Sequence, residues 1–214
     1  MIKKITLFFL AVFICGCSNL PNQLAGKKDT FFSLDKNNSG KIISTYPNNQ
    51  KIKSSGTLLN GKLEGKYIEY YENGQILLTA EYHSGKQNGV SKEFYPNGNI
   101  KVEGYFVDNL PQGKFVYYYE DNTIHFIKNF KNGLYHGEYT EFHPNGNVKT
   151  KGTYTNGYRN GIFYFYDENG IKIQEGNYIN GIRSGIWTSF DESGKEVSTI
   201  NYDEPSMEYT KTIY

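Results

Sequence analysis

The sequence GEYTEFHPNGNVKTKGTYTNGYRN, residues 137–160, decides the fold of this chain because its pattern returns every 24 residues. It opens on a glycine, runs through aromatic and β-branched residues to Asn145-Gly146, and returns through a second such run to Asn156-Gly157. The opening glycine recurs without a slip in spacing, at Gly65, Gly89, Gly113, Gly137, Gly161 and Gly185. A fixed period of this size indicates a repeat architecture.

We number each copy from its opening glycine as position 1. Position 6 is then always Tyr or Phe, and position 18 is aromatic in every copy from Gly65 onward. A degenerate copy, with Leu58 at position 18, begins at Lys41. Seven copies are therefore predicted, at residues 41–64, 65–88, 89–112, 113–136, 137–160, 161–184 and 185–204.

Each copy is predicted to form one β-hairpin. Positions 2–8 and 11–19 are rich in β-branched and aromatic residues, which favour strands. Asn-Gly at positions 9 and 10, as in Asn73-Gly74, indicates a tight hairpin turn that needs positive φ. A Gly-x-x-x-Gly stretch, as in Gly157 to Gly161, then predicts a slightly longer turn between successive hairpins.

Position 16 lies inside the returning strand and is glycine in four copies, at Gly56, Gly104, Gly152 and Gly176. Positions 12, 14, 16 and 18 are expected on one face of the strand because the strand period is two. Glycine destabilises a strand interior unless another group packs closely against its backbone. We expect an aromatic ring from a neighbouring strand to cover it, with position 6 as its source. The alternative is that position 16 marks a β-bulge.

The predicted fold is all-β. No copy has a helical period, and parallel strands would need crossovers of a dozen or more residues, which the turns do not allow. The sequence therefore predicts an elongated antiparallel meander of about seven hairpins in one open, twisted sheet. A closed propeller is the rival, but its blades need about 40 residues each. Residues 29–34 are expected to start the sheet and Tyr209–Tyr214 to end it.

The repeat resembles the MORN repeat, most of all its bacterial 24-residue variant. The resemblance is carried by Glu141-Phe142-His143-Pro144-Asn145-Gly146 and by Asn156-Gly157-Tyr158-Arg159-Asn160-Gly161-Ile162-Phe163. Proteins with this repeat include proposed antitoxins of bacterial toxin–antitoxin systems and many lipoproteins, and the eukaryotic relatives are mostly membrane-associated or scaffold modules. The resemblance implies an open β-repeat sheet and a repeat that is not itself catalytic.

The amino terminus is similar to a bacterial lipoprotein signal. Lys3 and Lys4 precede an apolar run from Ile5 to Ile14, which is too short to span a bilayer. Ile14-Cys15-Gly16-Cys17 resembles the lipobox, in which a peptidase cuts before the cysteine and its sulfur carries a diacylglycerol. The alternative is a buried N-terminal strand or helix.

This resemblance sets the predicted domain boundaries. Residues 1–16 are a signal peptide, residues 17–28 hold the lipidated Cys17 and a flexible tether, and residues 29–214 form the repeat domain. Anchoring by two or more acyl chains is stable. The predicted location is a bacterial cell envelope. Ser18 in place of Asp favours the outer membrane in proteobacterial lipoproteins.

Composition excludes some classes of partner. The chain has 23 basic and 22 acidic residues, so it has no bulk positive charge for binding nucleic acid. Its aromatic content of 16% argues against a disordered acidic chain. Partners are therefore expected to be the membrane, through lipid on Cys17, and a protein or an envelope polymer.

The residues give little support for catalysis or metal binding. His83, His125, His136 and His143 fall at four different repeat positions, without ligand spacing. Carboxylates recur at position 5, at Glu69, Glu93 and Glu141, where adjacent copies lie about 9–10 Å apart. That separation fits an inverting glycosidase, but it also fits any solvated repeat face. No catalytic residue, metal or cofactor is predicted.

A row of tyrosines is the candidate binding surface. Tyr71, Tyr95 and Tyr119 occupy position 7 in consecutive copies, on the face opposite position 6, and Tyr117 adds a fourth ring. Such a row stacks on sugar rings or grips an extended peptide. The alternative is that the rings pack on one another. The prediction is a membrane-anchored, non-catalytic binding or scaffold module. An antitoxin or immunity-type inhibitor is the alternative, and a glycan-acting enzyme is a remote one.

Overall fold

The computed structural model describes residues 30–203, with side chains from residue 33 onward. Every regular element in this range is a β-strand. The predicted signal peptide, Cys17, the tether and the predicted final strand at Tyr209–Tyr214 lie outside the described residues.

The strands form one open antiparallel meander, as the repeat predicts. Strands that follow one another along the chain pair, except that the two-residue strands β4 and β13 pair only backward, with β3 and β12. The strands after them, β5 and β14, pair with the same neighbours, β3 and β12. The edges are β1 and β17. The strands are β1 Thr30–Leu34, β2 Gly40–Thr45, β3 Ile52–Leu59, β4 Lys62–Leu63, β5 Gly65–Tyr70, β6 Ile76–His83, β7 Lys86–Phe94, β8 Ile100–Val107, β9 Leu110–Tyr118, β10 Ile124–Lys131, β11 Leu134–Phe142, β12 Val148–Thr155, β13 Tyr158–Arg159, β14 Gly161–Tyr166, β15 Lys172–Ile179, β16 Ile182–Phe190 and β17 Glu196–Asn201.

The two kinds of turn are the reverse of the prediction. The tightest turns join successive copies: Leu59 pairs with Lys62 across Asn60 and Gly61, whose φ angles are 51° and 74°. Positive φ at both central residues is the property of a two-residue hairpin turn whose twist matches the strands. The same geometry recurs at Asn156-Gly157.

The turn inside each copy is a three-residue loop. Tyr71 N donates to Gln75 O at 2.8 Å, and Gly74 N donates to Tyr71 O at 2.9 Å. Gly74 has a φ of 89°, whereas Asn73 keeps a negative φ and accepts a hydrogen bond from Gln75 N at its Oδ1, at 2.9 Å. Asn-Gly thus marks both the turn within a copy and the turn between copies, but the length of each turn is set by which residues of the flanking strands pair.

Aromatic rings do cover the position-16 glycines, but they come from position 3, so the prediction of position 6 as their source was wrong. A Cβ on Gly104 would lie 2.3 Å from the Phe115 ring, one on Gly152 2.5 Å from Phe163, and one on Gly176 2.2 Å from Trp187. Each ring belongs to the following copy. Phe163 and Trp187 are 0% and 1% exposed, so these rings form the core of the sheet.

A β-bulge accompanies each covered glycine, as the alternative interpretation expected. Glu103 pairs with Val116 and Tyr105 with Gln112, so three residues, 113–115, face the single Gly104. Gly113 has a φ of 72°, which explains glycine at position 1 of the copy. The bulge and the covering ring therefore act together.

A second bulge turns position 12 to the other face. Glu93 pairs with Val102, but Phe94 pairs with Ile100, which leaves Lys101 as the extra residue. Directly paired residues share a face. Positions 3, 5, 14, 16 and 18 therefore form one face, the glycine face, and positions 4, 6, 12 and 15 form the opposite one, the ribbon face. The expectation that position 12 lies with positions 14, 16 and 18 was wrong.

Candidate binding surface

The position-7 tyrosines link successive copies by hydrogen bonds. The hydroxyl of Tyr71 donates to Phe94 O at 2.7 Å, that of Tyr95 to Tyr118 O at 2.8 Å, and that of Tyr119 to Phe142 O at 3.0 Å. His143 takes the same place in the next copy, with its Nε2 2.9 Å from Tyr166 O. We call these four side chains, with Tyr46 on Tyr70 O at 2.6 Å, the tyrosine ladder.

The ladder rings lie on the glycine face and are half-buried. Tyr119 stacks on His125, with ring centroids 4.2 Å apart, and His125 contacts Phe126, which lies 4.2 Å from Tyr117. The structure thus brings Tyr117 and Tyr119 together on one face. Burial raises the pKa of all four predicted tyrosines, Tyr71, Tyr95, Tyr117 and Tyr119, which keeps their hydroxyls protonated.

The position-5 carboxylates are held in local hydrogen bonds. Glu93 accepts from Lys101 at 2.7 Å, and Glu141 accepts from Lys149 and from the hydroxyl of Tyr139, both at 2.9 Å. Burial pushes the pKa of Glu141 upward, but these hydrogen bonds outweigh it and hold the pKa below its usual value. Glu69 accepts from the hydroxyl of Tyr67 at 3.0 Å. The three carboxylates are structural partners of the glycine face.

Lys128 is a half-buried cation among aromatic rings. It occupies position 16, where most other copies have glycine, and its Nζ lies 4.2 Å from the Phe126 centroid and 4.7 Å from that of Tyr135. Nζ also donates to the hydroxyl of Tyr135 at 3.2 Å. Burial lowers the pKa of Lys128 to about 8, against the opposing effect of Glu141. The rings replace part of the water that the ammonium has lost.

The histidines occupy separate structural places. Apart from His125 and His143, His83 lies 2.9 Å from Glu64, and His136 lines a shallow open depression with Lys131 and Glu138. Across residues 30–203, no three His, Cys, Asp or Glu side chains converge as metal ligands.

The connecting turns carry a line of exposed apolar side chains. Leu110, Leu134, Tyr158 and Ile182 are 46–72% exposed at position 22 of successive copies. A Cβ on Gly133 would lie 3.2 Å from Leu110, and one on Gly181 3.3 Å from Tyr158. These side chains therefore pack along the stack of turns with one side open to solvent.

The surface that the sequence prediction missed is on the ribbon face. From the copy at Gly65 onward, each position-6 ring pairs directly with position 12 of its own copy, as in Tyr70 with Ile76 and Phe94 with Ile100. In the first copy Thr45, at position 5, pairs with Ile52 instead. The result is a continuous row that alternates aromatic and aliphatic side chains, which we call the aromatic ribbon: Tyr70, Ile76, Phe94, Ile100, Tyr118, Ile124, Phe142 and Val148. The signal in the sequence was the aromatic residue at every position 6, but its face depended on the second bulge.

The ribbon side chains are open to solvent on their outer side. Seven of the eight are half-buried, and Ile124 is 36% exposed. None of the four aromatic residues makes a ring–ring contact within the described part of the chain. Of these four residues, only Tyr118 forms a side-chain hydrogen bond within the described part of the chain, donating its hydroxyl to Glu103 at 2.8 Å. No second layer of the described residues covers the ribbon.

The comparisons with known proteins identify the repeat. No curated protein matches the chain. Within residues 30–203 there is no helix of the length and apolarity that a membrane span would require. The family model described as the MORN repeat variant matches five consecutive segments, residues 63–84, 87–108, 111–132, 135–156 and 159–180. Their starts follow the 24-residue period, and together they cover half of the chain. The chain belongs to the MORN repeat variant family.

Proposed function

We propose that this chain is a non-catalytic binding or scaffold module that engages its partner with one face of the repeat sheet. The observation that carries the proposal is the aromatic ribbon, a solvent-open row of side chains repeated in register over four copies. A row of half-exposed aromatic side chains is the kind of surface that carries binding energy. The family match supports a binding or scaffold role.

The second part of the proposal is a lipid anchor at Cys17 in a bacterial cell envelope. It is supported by the resemblance of Ile14-Cys15-Gly16-Cys17 to a lipobox. The full chain is expected to incorporate labelled palmitate when it is expressed in a bacterium, and Cys17→Ser should abolish the label. Equal labelling of both forms would overturn the anchor without affecting the binding surface.

Site-specific photo-crosslinking tests the binding role. A photoreactive residue in place of Thr140, at position 4 beside the ribbon, is expected to give a discrete adduct in cells that produce the full chain. The matched control replaces the exposed Gln75, whose carbonyl closes the three-residue loop between β5 and β6. Each adduct is analysed for protein and for carbohydrate.

An adduct from position 140 and not from position 75 supports binding through the ribbon face. Adducts from neither position would contradict the proposed function, and an adduct only from position 75 would move the surface to the loop edge. A protein partner that is a toxin neutralised by this chain would make the surface an immunity surface.

A further inference from the structure

We infer that the aromatic ribbon binds a β-1,4-linked glycan chain that runs across the strands, with one ring stacked on every second sugar. This inference rests on the proposed function and names the chemistry of the partner. It depends on the spacing, charge and rigidity of the ribbon.

The spacing follows from the repeat. Successive position-6 residues, such as Tyr70 and Phe94, lie two strands apart, which corresponds to about 9–10 Å. One disaccharide of an extended β-1,4-linked glycan has nearly this length, and it presents the same sugar face at each step. Four rings over eight strands therefore match a glycan of about six sugars, because the row extends roughly 30 Å.

The charge of the ribbon fits an uncharged ligand. Its eight residues from Tyr70 to Val148 carry no charge. Beside it, Lys92 and Glu103 neutralise each other at 2.9 Å, and the exposed Lys151, paired with Thr140, places one positive charge at its margin. The row continues toward the C terminus with Lys172 and Glu196 in place of the aliphatic residues. Lys172 there lies over the Phe190 ring, 4.2 Å from its centroid. The open, neutral part of the row thus ends after four copies, and it complements the C–H faces of neutral sugars.

The ribbon is also held rigid from the opposite face. The tyrosine ladder donates its hydrogen bonds to the backbone carbonyls of Tyr70, Phe94, Tyr118 and Phe142, the residues whose rings form the ribbon. The backbone carbonyl of each ribbon aromatic residue is therefore held by a hydrogen bond from the preceding copy. A surface that is ordered before binding loses little entropy when a ligand binds.

Threonine side chains beside the ribbon offer polar contacts for sugar hydroxyls. Thr79 and Thr140 lie at positions 15 and 4, next to the ribbon on the same face, and both are half-buried. An extended peptide would need unpaired backbone groups for strand addition, and those exist only at the edges of a sheet. The ribbon crosses strands β5 to β12, which are paired on both sides, so a stacked sugar chain fits it better than an added strand.

Calorimetric titration of the full chain with chitohexaose and cellohexaose tests the inference, with maltohexaose as the α-1,4-linked comparison. We expect a β-1,4-linked hexasaccharide to bind at least tenfold more tightly than maltohexaose. Phe94→Leu combined with Phe142→Leu should weaken it by about tenfold or more, because the ring faces are lost while apolar volume remains. Tyr105→Leu is the matched control: Tyr105 is a 46% exposed aromatic residue on the same face, outside the ribbon.

Phe94→Tyr combined with Phe142→Tyr should retain binding, since the rings remain, and thermal unfolding of every variant shows whether it is folded. Absent binding of both β-1,4-linked probes, equal binding of maltohexaose, or binding unchanged by the double Leu variant would overturn the inference. If the crosslinker at position 140 still gives an adduct in that case, the proposed function stands and only the glycan is wrong. If no adduct forms either, both fail.

Discussion

In four copies, the glycine at position 16 lies beneath a large aromatic ring from the next copy. Gly56, Gly104, Gly152 and Gly176 are covered by Tyr67, Phe115, Phe163 and Trp187. The copy with Ala80 at this position has Ser91 opposite it instead of a ring. The methyl group of Ala80 is 1% exposed, so it occupies space that a ring fills elsewhere. Close packing of this kind makes the pair, rather than either residue, the unit of the core.

This pairing predicts a double-mutant result. Gly152→Ala should lower the free energy of unfolding by about 2 kcal/mol, because its Cβ would lie 2.5 Å from the buried Phe163 ring. In a Phe163→Ser background, which reproduces the Ala80–Ser91 pair, the same change should cost almost nothing. Urea unfolding of the four proteins measures the coupling. An equal cost in both backgrounds would show that the ring is not the obstacle.

Lys128 predicts a dependence of stability on pH. Its pKa is about 8 in the fold, below the ordinary value of 10.5, so the unfolded chain binds more protons between these pH values. The free energy of unfolding should therefore rise between pH 7 and 9, by about 1 kcal/mol for this partly exposed group. Tyr117, Tyr135 and Tyr139 keep raised pKa values around it, so they remain protonated in this window.

The matched variant is Lys128→Met, which keeps an unbranched side chain of nearly the same length and removes its charge. Its free energy of unfolding should be higher than that of the wild type at pH 7 and should lack the rise toward pH 9. Urea unfolding at both pH values measures this. A wild-type slope that persists in Lys128→Met would assign the pH dependence to another group.

At the scale of strands and turns, neighbouring copies are joined at both ends. The tyrosine ladder acts at the three-residue loops, with donor and acceptor residues 23 positions apart in the sequence. At the connecting turns, the backbone does the same: Gly157 N donates to Tyr135 O and Gly181 N to Arg159 O, both at 2.8 Å. Each copy is thus fixed against the next by side chains at one end and by backbone at the other.

Removing one hydroxyl of the ladder should therefore loosen a single junction. Tyr95→Phe is expected to lower the free energy of unfolding by about 1 kcal/mol, since it removes the hydrogen bond to Tyr118 O but keeps the ring. Tyr105→Phe is the control, because the Tyr105 hydroxyl makes no hydrogen bond to the described residues. Equal stability of Tyr95→Phe and the wild type would mean that the ladder adds no stability.

At the scale of the whole molecule, the strands within residues 30–203 pair only with neighbouring strands of one open sheet. The number of copies can therefore change, whereas the 24-residue spacing between them must be kept. Deleting residues 113–136 should leave a folded protein, because it places Tyr139 after Gly104 with the period intact. The urea m-value should fall by about one seventh. Deleting only residues 113–124 removes half of a copy and should abolish cooperative unfolding. Circular dichroism and urea titration distinguish the two outcomes.

The sequence by itself determined the period, the strand class and the meander. These follow from local features: alternation of residues, positive-φ turn residues such as Asn60-Gly61, and turns too short for parallel crossovers. The aromatic rows at positions 6 and 7 were also visible, because position 6 is always Tyr or Phe and position 7 is Tyr in three consecutive copies. The number and order of the strands could be predicted without knowledge of any tertiary contact.

Only the tertiary structure decided which ring covers which glycine and which row faces outward. Two bulges, at residues 113–115 and at Lys101 in their copies, shift the pairing. The bulge at residues 113–115 adds two residues and leaves the alternation of faces unchanged, whereas the single extra residue at Lys101 places the side chains on either side of it on opposite faces. The ladder likewise joins atoms 23 residues apart, which only the stacking of copies brings within 3 Å. The alternation of residues along one strand does not reveal a bulge, because the extra residue is defined only by the pairing with the neighbouring strand.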